Sequence, residues 1–173
     1  MSGGETYIER MVPRQPTAGI RLVQVSFCLM PPILAFVCWS FPPTSSFAVF
    51  VLVGACFGAW QLFIRQNVEF EYALTNGEMD IDKIIARRAR KRLLSIDCRR
   101  FEILAPVVSE FSAEINERNI VRRLDFSSSS QSEGRWFAIF MDQDNQRTIL
   151  FFEPDQRMLD AFRTFIPRKV QQR

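Results

Sequence analysis

Two aspartates at a spacing of two, Asp80 and Asp82, are the residues in this 173-residue sequence whose types and spacing first invite a chemical reading. On a strand that spacing sets both carboxylates on one face, where they could hold a hard cation, although alternation along an exposed strand face accounts for them more simply. Around them the inventory is bare. The sequence has no histidine, so the commonest general acid and base is missing, and no CxxC spacing links Cys28, Cys38, Cys56 and Cys98. Zinc and iron sites built from Cys and His are thereby excluded. A GxSxG elbow, a Walker A loop and a GxGxxG turn are absent as well. The expectation is a protein without catalysis or a cofactor of its own.

The basic residues carry more. From Lys83 to Arg100 eight Lys and Arg stand against Asp97 alone, a local charge of +7, whereas residues 66–173 as a whole net only +1. Five of them, Arg87, Arg88, Arg90, Lys91 and Arg92, fall in one short stretch that reads as a connection between strands. Held near an anionic bilayer, each such charge contributes about 1 kcal/mol of attraction. A solvated turn carrying the surplus positive charge of a cytoplasmic membrane flank explains the same residues. Nucleic acid is not the expected partner, since no aromatic residues interleave the arginines.

A membrane enters the argument through residues 22–64. Residues 22–41 and 47–64 contain no charged side chain, and as helices they would rise about 30 and 27 Å, close to the thickness of a bilayer's hydrocarbon core. Pro42-Pro43-Thr44-Ser45-Ser46 is too short a link for anything but an antiparallel hairpin. Arg10, Arg14 and Arg21 precede the first run, Arg65 closes the second, and the link is uncharged, so the positive-inside rule puts both termini in the cytoplasm. Trp39 and Trp60 sit near opposite ends, as interfacial anchors do. A cleaved signal peptide, a buried helix pair and a re-entrant insertion bent at Pro31-Pro32 are the competing readings; length, the second run and the tolerance of spanning helices for proline favour a kinked two-span hairpin.

Gly54 and Gly58 form a GxxxG pair, which admits a second helix close to the backbone. With a partner helix in the same chain, packing against the first span is the simpler reading and homodimerisation the alternative. No ionisable residue lies in either run, which argues against an ion or proton path. The cysteines read as small apolar residues of a reducing compartment.

These boundaries divide the chain into a loose cytoplasmic arm (residues 1–21), the hairpin (22–65) and one compact cytoplasmic domain (66–173). After Arg65 the apolar period changes to two: Val68, Phe70, Tyr72 and Leu74, then Asn76-Gly77, then Met79 and Ile81. Asn-Gly between alternating runs predicts a β-hairpin with a type I′ turn. Residues 86–92 read as a connection, 93–98 as a third strand, 106–119 as a loop with a short helix or a bulged excursion, and 120–126, 136–141 and 147–153 as further strands around a serine-rich turn. Residues 155–166 place Met158, Leu159, Phe162, Phe165 and Ile166 at helical spacing behind Pro154. The predicted fold class is a transmembrane α-hairpin plus an α+β domain, an antiparallel barrel or sandwich closed by a C-terminal helix.

At Tyr72-Ala73-Leu74-Thr75-Asn76-Gly77-Glu78, followed by residues 81–85, the basic stretch and Arg92-Leu93-Leu94-Ser95-Ile96, the chain resembles bacterial pleckstrin-homology-like (PH-like) membrane proteins. These couple a pair of transmembrane helices to a strand-rich domain whose first hairpin carries a Tyr-x-Leu-Thr pattern. Residues 152–154 and 166–170 look like those of a small two-helix subfamily without an assigned function. The resemblance spans nearly everything from Leu22 onward and implies fold and topology, not activity. PH-like domains that grip phosphoinositides usually do so with a basic loop between their first two strands, and here that loop is only Asn76-Gly77. What remains is a non-enzymatic membrane protein presenting its domain at the inner membrane surface, as a scaffold or accessory subunit for a protein partner or as a homodimer. The alternative is a sensor that touches anionic lipid through residues 87–92.

Overall fold

The structure, a computed structural model, describes residues 7–171. It divides into two compact units, one built around the helical hairpin (residues 15–68 with 85–89) and one around the strands (the remainder).

In the hairpin unit, α1 (Ala18–Ser40) and α2 (Ala48–Arg65) pack against each other, and both are long and apolar enough to cross a membrane. α1 runs uninterrupted through Pro31 and Pro32. Its apolar side chains face outward: Phe36 and Trp39 are 72% and 70% exposed, which is what a lipid-facing surface requires and a soluble core helix would not tolerate. The connection satisfies its own polar groups. Thr44 Oγ1 donates to Cys38 O at 3.0 Å and Ser45 Oγ to Pro42 O at 3.0 Å.

The strand unit opens before the helices. Residues 7–13 of the expected loose arm form β1 (Tyr7–Pro13), which pairs antiparallel with β2 (Val68–Thr75) from Tyr7 opposite Thr75 to Pro13 opposite Glu69. Val12 is buried. β3 (Glu78–Ile85) and β4 (Ala89–Asp97) complete a sheet of order β1-β2-β3-β4. Asn76 and Gly77 take φ of 50° and 92°, the positive values of the predicted type I′ turn.

A 3₁₀ turn at Cys98–Arg100 leads into β5 (Phe101–Pro106) and a second sheet. The short helical segment expected within 106–119 is present as α3 (Ser112–Ile115), preceded by a 3₁₀ turn. β6 (Arg122–Asp125), β7 (Trp136–Met141) and β8 (Arg147–Phe152) follow, in the order β5-β7-β8-β6. The antiparallel expectation fails at one pair: β6 runs parallel to β8. The hairpin β7–β8 occupies one side of β7 and β5 the other, so β6 is left the outer side of β8. The serine-rich loop spanning that crossover is pinned, with Ser128 donating from N and Oγ to Glu153 Oε1 at 2.8 and 2.7 Å.

The two sheets do not close into a barrel. An aromatic core joins them instead. The Tyr72 ring on β2 meets Phe152 on β8 at 5.9 Å, and Tyr72 Oη donates to Phe126 O. Over this core lies α4 (Gln156–Phe165), whose start is fixed by Asp155 Oδ1 accepting from Met158 N at 2.8 Å. Its buried stripe is Met158, Leu159, Ala161 and Phe162. Residues 169–171 then run along β5, with Leu104 N donating to Lys169 O and Gln171 N to Leu104 O, both at 2.8 Å, which covers that edge.

Candidate functional site

The basic run is not one turn. Only residues 86–88 turn: Ala86 and Arg87 adopt φ of 54° and 55°, and Arg88 N donates to Ile85 O at 3.1 Å, the signature of a second two-residue type I′ connection. Neither residue is Gly or Asn, so its sequence carried no hairpin signal. The turn is tied down, because Ala86 N donates to Asn67 O at 2.9 Å, two residues past the last residue of α2. Arg87 and Arg88 are exposed.

Arg90, Lys91 and Arg92 lie on β4, so the expected connection over residues 86–92 is part turn and part strand. Arg90 pairs with Glu71 and stands 3.8 Å from Asp82; Arg92 pairs with Asp82 and reaches Asp80 at 2.7 Å. Glu71 and Asp82 are 4% and 5% exposed. Carboxylates that deep need compensating charge, so these two arginines serve the domain's own outer sheet face. Lys91 is exposed and, like Arg88, has no ion-pair partner among the described residues. The same contacts fill the Asp80–Asp82 pair with a guanidinium where a cation was conceivable. No group of three or more metal-ligating side chains occurs among the described residues.

Burial pushes the Glu71 carboxyl above its ordinary 4.5, with Arg90 pulling it part of the way back. In the window just above pH 4.5 the folded chain therefore holds a proton that the unfolded chain releases, so stability falls as pH rises through the raised value. Glu71→Gln is expected to flatten that fall, read as the urea midpoint against pH in detergent; an unchanged slope would assign the dependence to other groups. Cys98 is sealed in the core, its thiol pushed up to about 12 by burial, and is inert rather than reactive.

Gly54 and Gly58 do not press against α1. A Cβ placed on either meets nothing within 4 Å, so the pair opens onto the outer surface of the hairpin, contrary to the intrachain packing expected. Apolar grooves open between the two helices. One, of about 390 Å³, is lined by Phe27, Cys28 and Pro31 of α1 and by Cys56, Ala59, Trp60 and Phe63 of α2. The other, of about 440 Å³, lies toward the connecting loop, between Phe36 and Trp39 on α1 and Val49 and Leu52 on α2. Neither groove is legible in the sequence. Their only trace was the alternation of small (Cys28, Cys56, Ala59) with bulky residues at helical spacing.

Two apolar helices joined to a strand-rich domain, with residues 4–172 matching a family described as a bacterial PH-like domain (DUF6106), decide the kinship. The chain belongs to that family. No curated protein and no solved structure matches it. The PH-like assignment agrees with the Tyr-x-Leu-Thr hairpin and accounts for a sheet unit that ends in a covering helix. In this PH-like domain the first hairpin turn, at Asn76-Gly77, lies beside a small polar cleft containing Glu78, Asp97 and Arg99, and it carries no basic loop.

Proposed function

We propose that this protein is a non-enzymatic integral membrane protein whose PH-like domain is held at the inner membrane surface, with the turn at residues 86–88 resting on anionic headgroups. The observation that carries this reading is the Ala86 N–Asn67 O bond, which fixes an arginine turn next to the end of a spanning helix. The pairing of β1 with β2 supports the topology: the strand before the hairpin and the strand after it share a sheet, so both must leave the bilayer on one side. Uncharged residues between the helices and arginines flanking them favour the cytoplasm for that side.

Near-surface charges contribute about 1 kcal/mol each, so Arg87 and Arg88 together correspond to a roughly thirty-fold change in occupancy of the lipid-bound turn. Trypsin reads this directly. With the full chain in anionic nanodiscs at low salt, cleavage after Arg87 and Arg88 is expected to be slower by about that factor than in zwitterionic ones, with cleavage after Arg118 unchanged. Raising the salt abolishes the difference. Equal rates in both lipids would refute the contact.

A scaffold role is the second reading, and the edge strand β1 favours it. Tyr7 and Met11 are 61% and 54% exposed there, on a strand with one neighbour, which suits strand addition by a protein partner. The outward Gly54–Gly58 pair keeps homodimerisation within this reading.

A further inference from the structure

We infer that the arginine-bearing end of the helical hairpin is a seat for a single anionic phospholipid, with its phosphate among Arg21, Arg65 and Arg88 and one acyl chain in the groove beside Pro31 and Ala59. This rests on the membrane placement proposed above and gives it a defined ligand.

The placement follows from helix arithmetic. Arg21 lies in the first turn of α1 and Arg65 is the last residue of α2, so in an antiparallel hairpin they share one end. The turn bearing Arg88 is bonded to Asn67 at that same end. At 1.5 Å per residue, Phe27 and Pro31 sit about 9 and 15 Å beyond Arg21, and Phe63 and Cys56 about 3 and 14 Å beyond Arg65. The groove thus covers the depth of one leaflet's hydrocarbon, about 15 Å. It opens sideways between the helices and is almost wholly apolar in lining, with Cys28, Cys56 and Ala59 too small to fill it. In a bilayer such a space is filled by an acyl chain, because an empty one forfeits packing contacts on every wall.

Charge selects which lipid supplies the chain. The second groove has similar room, about 440 Å³, but lies toward a connecting loop with no charged residue. It serves as an internal control: both grooves take acyl chains, and only the first ranks headgroups.

The test uses the full chain in nanodiscs of equimolar phosphatidylglycerol and phosphatidylcholine, transferred to neutral detergent, with retained lipid counted by native mass spectrometry. The wild type is expected to keep one phosphatidylglycerol in roughly hundredfold preference over phosphatidylcholine. Ala59→Leu and, separately, Cys56→Leu fill the groove and lower retention about fivefold while the trypsin protection at Arg87 and Arg88 persists. Arg65→Gln with Arg88→Gln, which leaves the packing untouched, lowers the preference by roughly thirty-fold, leaving what Arg21 alone supplies. Ala35 also lines the control groove, and Ala35→Leu leaves the preference intact. Retained lipid matching the bulk composition, or full retention in both groove-filling variants, would overturn the seat even if the trypsin protection stood. Loss of that protection in the wild type would instead take the membrane contact down with it.

Discussion

Phe162→Asp should leave the strand unit unfolded while α1 and α2 stay in the membrane. Phe162 is fully buried on α4, its ring centroid 6.3 Å from that of Phe101 and 6.1 Å from that of Phe152, which in turn stands 5.9 Å from Tyr72. This one ring therefore touches the second sheet directly and the first through a single intermediary. Truncating a core phenylalanine to alanine costs about 3–5 kcal/mol, and a carboxylate with no partner in that position adds a desolvation cost of several more. The sum reaches the whole stability of an ordinary domain, about 5–15 kcal/mol. Limited proteolysis should digest the strand unit, and a carbonate wash should leave the helices in the membrane fraction. Phe162→Leu, which keeps most of the volume, should retain a protease-resistant domain. If Phe162→Asp left that domain intact, α4 would not be what covers the core.

Removing residues 1–14 is expected to be nearly as damaging, although they precede the helices and read as a loose arm. The deletion strips β1 from β2 along seven residue pairs, uncovers the Val12 site and takes away the Arg14 guanidinium that lies 5.9 Å over the Phe70 ring. Burial of Val12 contributes about 2 kcal/mol, and each lost ladder hydrogen bond about 1. With about six ladder bonds the loss is then on the order of 8 kcal/mol, and β2 is left with an open edge that invites aggregation. Hydrogen exchange provides the measure: β2 amides, slow in the full chain, should exchange fast in the deletion. Unchanged β2 protection would mean that the sheet does not need its first strand. Residues 66–173 expressed alone, which lack β1, should likewise make a poor stand-in for the domain.

Local signals along the chain were enough for several of its elements. Two uncharged runs of spanning length, Asn76-Gly77 between alternating strands, and the apolar stripe from Met158 to Phe162 behind an Asp155 cap each specify their structure within a short local stretch of chain. The resemblance at residues 72–78, 81–85 and 92–96 agrees with the PH-like family. Tertiary structure alone decided the rest. An alternating pattern tells a strand which face is buried but not which strand it pairs with, so neither the recruitment of β1 from before the helices nor the parallel β6 was legible. Charge runs hide their partners for the same reason: Arg90 and Arg92 pair with carboxylates 10 to 19 residues earlier, whereas Arg88, two positions from Arg90, has no ion-pair partner among the described residues. The direction in which Gly54 and Gly58 face depends on how α2 is rotated about its axis, and that is fixed by which side chains of α1 it meets, not by the spacing of the glycines themselves.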